Sequence, residues 1–136
     1  MNMTSVDVQE MFGLKGIDHI GIPCRDIEKT VSFYNRLGFE MILRTVNEKT
    51  GEKVAFLRMR DLVVETYQRD STPDVAGAID HMAISVKDID ECYNKVICTG
   101  FGDVSDIEFL PFWEHGIRYF KIKGPNGESI EFVQKL

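Results

Sequence analysis

A chain that writes IDHIGI at residues 17–22 and IDHMAI at residues 79–84 is built from a repeated unit. His81 follows His19 by 62 positions, and the same step carries Ile17, Asp18, Ile22, Asp26 and Ile27 onto Ile79, Asp80, Ile84, Asp88 and Ile89. It also carries Gly38-Phe39 onto Gly100-Phe101. An offset kept through a strand and the helix after it marks a duplicated supersecondary unit. The fold is thereby restricted to two similar halves, with equivalent positions related by a pseudo-twofold axis.

Each copy reads as one strand, one helix and three more strands. In GIDHIGIP, Ile17, His19 and Gly21 share one face while Asp18, Ile20 and Ile22 share the other. Asp26 is placed to cap the following helix, in which Ile27, Val31, Tyr34 and Leu37 recur at helical spacing before Gly38 ends it in the left-handed region. In the second copy Asp88 and Glu91 have capping-box spacing, and Ile89, Cys92 and Val96 lead to the stop at Gly100. Period-two patterns then predict strands at 39–46, 52–60 and 62–68, and at 102–109, 116–123 and 128–134. The Asn-Gly of GPNG, residues 124–127, predicts a hairpin closed by a type I′ turn. The turn formers of RDSTPDVAG mark the joint between copies.

These readings give an N-terminal extension at 1–15, a first βαβββ module at 16–70, a linker at 71–77 and a second module at 78–136. The fold class is α+β. The net charge of −6 and the lack of a basic stripe argue against nucleic acid as a partner. The chain has no apolar run long enough for a membrane span, and the N-terminus does not read as a secretory signal. Three cysteines without C-x-x-C spacing suit a reducing compartment, so the expected location is cytoplasmic.

A histidine on a strand face is ordinarily a hydrogen-bonded structural residue. Two at equivalent positions of a duplicated fold are placed to converge on one point, as a metal requires. Each copy also has an acidic residue inside its apolar last strand: Glu65 in LVVETYQ and Glu131 in ESIEFVQ. An uncompensated glutamate there costs several kcal/mol to bury. A buried arginine partner or an exposed sheet face would account for one such glutamate, but less readily for a matched pair. His19, Glu65, His81 and Glu131 are therefore the candidate ligands. Imidazole and carboxylate donors without thiolate suit one divalent Ni, Co, Zn, Mn or Fe ion per site.

IDHIGIPCRDIEKTVSFYNRLGFE, IDHMAISVKDIDECYNKV and the closing GPNGESIEF resemble the vicinal oxygen chelate superfamily. That superfamily includes glyoxalase I, methylmalonyl-CoA epimerase, ring-cleaving dioxygenases and the fosfomycin- and bleomycin-resistance proteins. The resemblance implies two βαβββ modules curled into an eight-stranded, partly open β cup with helices outside. It also implies a metal held from the first and last strands of each module, and a homodimer. A complete His₂Glu₂ set is similar to that of glyoxalase I. The activity implied is a metal-dependent lyase or isomerase that takes a proton α to a carbonyl, with Glu131 or Glu65 as base, and stabilises an enediolate. Alternatives are an epimerase acting on an acyl thioester and a non-catalytic protein binding a small ligand.

Substrate-holding residues are less sharply marked. Trp113 and His115 fall in FLPFWEHGIRYF, which reads either as an aromatic lid or as a hydrophobic cluster packed beneath a loop. Arg58, Arg118 and Lys121 lie on strands, placed either to bind a substrate anion or to face solvent. The expected partner is a small molecule.

Overall fold

The computed structural model describes residues 2–136. An N-terminal helix, α1 (Ser5–Phe12), precedes the first module, which contains β1 (Ile20–Cys24), α2 (Ile27–Arg36), β2 (Glu40–Val46), β3 (Lys53–Met59) and β4 (Leu62–Gln68). The second module contains β5 (Met82–Ser85), α3 (Ile89–Cys98), β6 (Glu108–Leu110), β7 (Ile117–Lys123) and β8 (Ser129–Lys135). The eight strands form two open four-stranded sheets, ordered β1-β4-β3-β2 and β5-β8-β7-β6. In each, the first strand runs parallel to the last and forms one edge, as two βαβββ modules require.

One face of each sheet is covered by its helix. Ile22, Cys24, Ala55, Leu57 and Val64 are buried with Ile27, Val31 and Tyr34 of α2; Phe120, Ile122, Ile130 and Phe132 are buried with Ile89 and Val96 of α3. Both clusters belong to one continuous core. The helices start where the sequence places them, with Asp26 accepting the backbone N–H groups of Glu28 and Lys29, and Asp88 accepting that of Glu91. Gly38 and Gly100 follow the helices in the left-handed region at φ 91° and 85°. A second device is duplicated as well. The Gln68 and Gln134 side chains accept the N–H of Ile27 and Ile89, tying the end of each last strand to the start of its helix.

The modules meet through α2, the turn between β7 and β8, and the segment just after α3. Tyr34 donates to Glu128 at 2.9 Å, Asn126 donates to the Thr30 hydroxyl at 3.0 Å, and the Arg36 guanidinium lies 4.3 Å from the Phe101 ring centre. These contacts explain one departure from the expected turn. Only Gly127 of GPNG has positive φ, so Asn126 is not in the conformation a type I′ turn demands. Gly127 instead donates to the Gly124 carbonyl and Gly124 to that of Glu128, the pattern of a type I turn with a left-handed glycine after it. Asn126 is buried and committed to Thr30. A Cβ on Gly127 would lie 2.1 Å from the Asp74 carbonyl oxygen, so the linker passes directly over this turn.

Other differences are of extent. β1 and β5 join their ladders only at Ile20 and Met82, so His19 and His81 immediately precede the strands rather than lying inside them. β6 is reduced to three residues, because Asp103 turns the chain at φ 54° and Ser105 donates its N–H to the Lys121 carbonyl. Within the N-terminal extension, Thr4 and Asp7 form a reciprocal capping box that starts α1, and Gly13 ends it. Among the described residues no helix is long and apolar enough to cross a membrane.

Candidate metal centre

Strand alternation decides what the uncovered faces carry. In β4, Val64 and Thr66 point toward α2, which leaves Glu65 on the open face, opposite Gly21 of β1 and Phe56 of β3. In β8, Ile130 and Phe132 point toward α3, which leaves Glu131 open, opposite Ala83 of β5 and Lys121 of β7. Each glutamate thus lies beside the edge strand that its histidine leads into.

The histidines meet these glutamates in matching pairs. His19 Nε2 lies 3.3 Å from Glu65 Oε1, and His81 Nε2 lies 3.8 Å from Glu131 Oε1. Two donors about 2.1 Å from one cation are about 3 Å apart at a right angle and about 3.4 Å apart at the tetrahedral angle, so the His19–Glu65 pair has the spacing of neighbouring ligands and the His81–Glu131 pair is wider. The His19 ring also packs edge-on against Phe56, with centroids 5.4 Å apart. A hydrogen bond to Asp18 holds the His19 pKa above its ordinary value; burial opposes the shift and the Glu65 charge adds to it. The hydrogen bond to His81 and the nearby charge of Lys121 hold Asp80 below the usual carboxylate range.

The four predicted ligands are brought together two by two. Among the described residues, no three His, Cys, Asp or Glu side chains converge as a metal site within one chain. The donors fit a divalent cation in kind, and the first-module pair fits one in spacing as well. The edge strands β1 and β5, which the two histidines lead into, flank a cleft of about 310 Å³, lined by Ile20, Pro23, Val75, Ile79, His81 and Met82 and bordered by the linker.

The remaining candidates separate by face. Lys121 is on the open face, its Nζ 3.8 Å from Asp80 Oδ2, and Arg58 is exposed opposite Val63 on the open face of the first sheet. Arg118 shares the α3-facing side of β7 with Phe120 and Ile122 instead, and grips Asp90 of α3 through two bonds of 2.8 and 3.0 Å. Trp113 is 73% exposed at φ 64°, with Lys135 Nζ 4.2 Å from its ring centre. Phe112 is exposed beside it, and His115 lies out in the loop near Glu114. Phe56, Tyr67, Asp18 and Asp80 border the site without having been singled out. The strand period and the Asp-His repeat were their signals.

A family model for the Glyoxalase/Bleomycin resistance protein/Dioxygenase superfamily matches residues 16–132. The chain belongs to this superfamily. It is 37% identical over 128 residues to the uncharacterised protein YwbC of Bacillus subtilis, covering 89% of this chain and 98% of that one. YwkD of the same organism is 33% identical over 91 residues, covering 61% and 70%. Among solved structures, a glyoxalase family protein from Enterococcus faecalis superposes with a TM-score of 0.75 at 20% identity, covering 89% of this chain and 98% of that one. The bleomycin resistance determinant of transposon Tn5 has a TM-score of 0.69 at 20% identity, covering 89% and 98%. The fosfomycin resistance protein FosX of Listeria monocytogenes, complexed with Mn(II) and sulfate, has a TM-score of 0.66 at 18% identity, covering 90% and 94%. These superpositions establish the superfamily fold. The helix α1 lies outside the matched region.

Proposed function

We propose that the protein is a glyoxalase I-like lyase or isomerase acting on a small carbonyl compound, with His19, Glu65, His81 and Glu131 holding one divalent cation. The observation that carries the reading is the repeated approach of a histidine Nε2 to a glutamate Oε1 on the open face of each module. Bound there, the cation would supply a positive charge beside two neighbouring substrate oxygens, where negative charge develops as a proton leaves the carbon between them. Glu131 is the base. Its side chain is only 12% exposed, against 25% for Glu65, and it has Lys121 directly across the ladder. It takes the proton from one carbon and returns it to the neighbour, or to the opposite face of the same carbon in an epimerase.

The pairwise distribution of donors is consistent with a homodimer. The first-module pair of one protomer and the second-module pair of the other would share one cation, giving two sites per dimer. The open sheet faces and the exposed apolar residues Met41, Ile42, Leu43 and Val46 of β2 provide surface for such an assembly.

Metal-loaded protein is offered hemithioacetal and acyl-thioester substrates in deuterium oxide. Deuterium is expected at the α-carbon, with Glu131→Gln abolishing it while the protein remains folded. Incorporation that persisted in that variant would sink the assignment of the base. Failure of the wild-type protein to take up Ni²⁺, Co²⁺, Zn²⁺, Mn²⁺ or Fe²⁺ would leave a ligand-binding module rather than an enzyme.

A further inference from the structure

Asp18 and Asp80 stand at equivalent places in the repeat, each immediately before its histidine. Asp18 Oδ2 lies 2.6 Å from His19 Nδ1, and Asp80 Oδ2 lies 3.0 Å from His81 Nδ1. Both ring nitrogens face carboxylates, which accept hydrogen bonds, but Nδ1 is the nearer in each case, at 2.6 against 3.3 Å in His19 and 3.0 against 3.8 Å in His81, so the single hydrogen of the neutral ring belongs on Nδ1. The other nitrogen, Nε2, then keeps its lone pair, and Nε2 is the atom that faces Glu65 or Glu131.

Side chains of consecutive residues in a strand point to opposite faces, so neighbours of this kind do not ordinarily meet. Here they do, because both Asp-His pairs precede the first ladder partners at Ile20 and Met82. Starting the strand one residue after the histidine lets the aspartate reach around to the ring. The arrangement occurs twice, with the same atoms, once in each module.

We infer that Asp18 and Asp80 are positioning residues of the metal centre, each holding its histidine in the tautomer and ring orientation that presents Nε2 to the cation. This rests on the metal-binding reading above. The two halves are unequal. Asp80 also faces Lys121, 3.8 Å from the same oxygen that meets His81, and its bond to the ring is the longer one. The His19 ring has the shorter carboxylate bond and is packed against Phe56 as well. Asp18 therefore contributes more to metal affinity than Asp80.

The test pairs Co²⁺ titration calorimetry with long-range ¹H–¹⁵N spectra of metal-free protein at about pH 8, where an ordinary histidine is neutral. Wild-type His19 and His81 are expected in the Nδ1–H tautomer. Asp18→Ala should release His19 toward the Nε2–H form, leave His81 unchanged, and weaken Co²⁺ binding by roughly 10- to 100-fold. Asp80→Ala should act on His81 alone and with a smaller loss of affinity. Asp18→Asn should recover part of the affinity, since an amide oxygen still accepts from Nδ1. Wild-type rings in the Nε2–H form, or an Asp18→Ala variant with unchanged tautomer and affinity, would overturn the inference while leaving the metal site intact. No Co²⁺ uptake by the wild type would overturn the metal-binding reading and this inference together.

Discussion

Tyr34 and Glu128 are joined by a 2.9 Å hydrogen bond between the two modules, with the tyrosine fully buried. Burial, then the Glu128 charge, then the hydrogen bond itself raise the Tyr34 pKa well above 10.0. The folded chain therefore keeps a proton that the unfolded chain begins to release near pH 10. The stability contributed by neutral Tyr34 is fully present below that pH and is lost as pH rises through the folded value. Tyr34→Phe keeps the packing but leaves the Glu128 oxygen without this donor. It should cost about 1.5–3 kcal/mol at neutral pH and make the alkaline fall in stability shallower. A residual slope from Tyr119 remains, since its hydrogen bond to Glu108 raises its pKa too. Urea unfolding of both proteins from pH 7 to 11 checks this, and superimposable curves would refute the role assigned to the bond.

Gln68 and Gln134 should act as helix-start residues although neither is in a helix. Each accepts the first N–H of the helix in its own module, at 3.0 and 2.8 Å. Replacement by alanine leaves that donor without its partner, at a cost of about 0.5–2 kcal/mol, in the range of an ordinary N-cap deletion. Glutamate at either position would keep the acceptor and add a negative charge near the helix N-terminus, so it should retain most of the stability. Thermal melts of the alanine and glutamate variants separate the two outcomes. An alanine variant as stable as wild type would mean that water replaces the amide at no cost.

The repeat carried more of this fold than any propensity did. The offset of 62 located both strand-helix starts and both helix stops, because caps and glycines depend on local chain geometry. From Glu65 to Glu131, and from Gln68 to Gln134, the offset is 66. Four residues are therefore added between Gly100 and β8, in the stretch where β6 is shorter than its pattern suggested. Period two was enough to find the glutamates as polar exceptions in apolar strands. It did not identify the face bearing Arg118, because that depends on pairing Lys121 with Glu131 across the ladder. The Asp-His contacts depend on where each ladder begins, and a strand pattern alone does not mark that point.

Arg118 and Lys121 should separate cleanly on substitution. Arg118→Ala removes a bidentate pair with Asp90 on the helix side, an exposed and solvent-screened contact that contributes little to stability. Metal affinity and KM should stay within about twofold of wild type, because its two bonds are to α3 rather than to the open face. Lys121→Met removes a cation beside Asp80 and Glu131 and should change both metal affinity and turnover. Parallel metal titrations and kinetics on the two variants give the comparison. A larger functional loss from Arg118→Ala would place the substrate on the wrong side of the sheet for this reading.

Complementation between two inactive variants tests whether the centre is shared between protomers. His19→Ala spoils every site through the first module, and His81→Ala spoils every site through the second. In a heterodimer of the two with shared sites, one site receives both defects and the other receives none. Random mixing makes about half of all dimers heterodimers, so about one quarter of wild-type metal binding and turnover should return after unfolding and co-refolding. If all four ligands came from one chain, each chain of the mixture would still carry its own defect, and nothing would return. The exchange is followed by native mass spectrometry with one variant isotopically labelled. Recovery should track the heterodimer fraction, and heterodimers without recovery would show that the two half-sets of one chain serve the same cation.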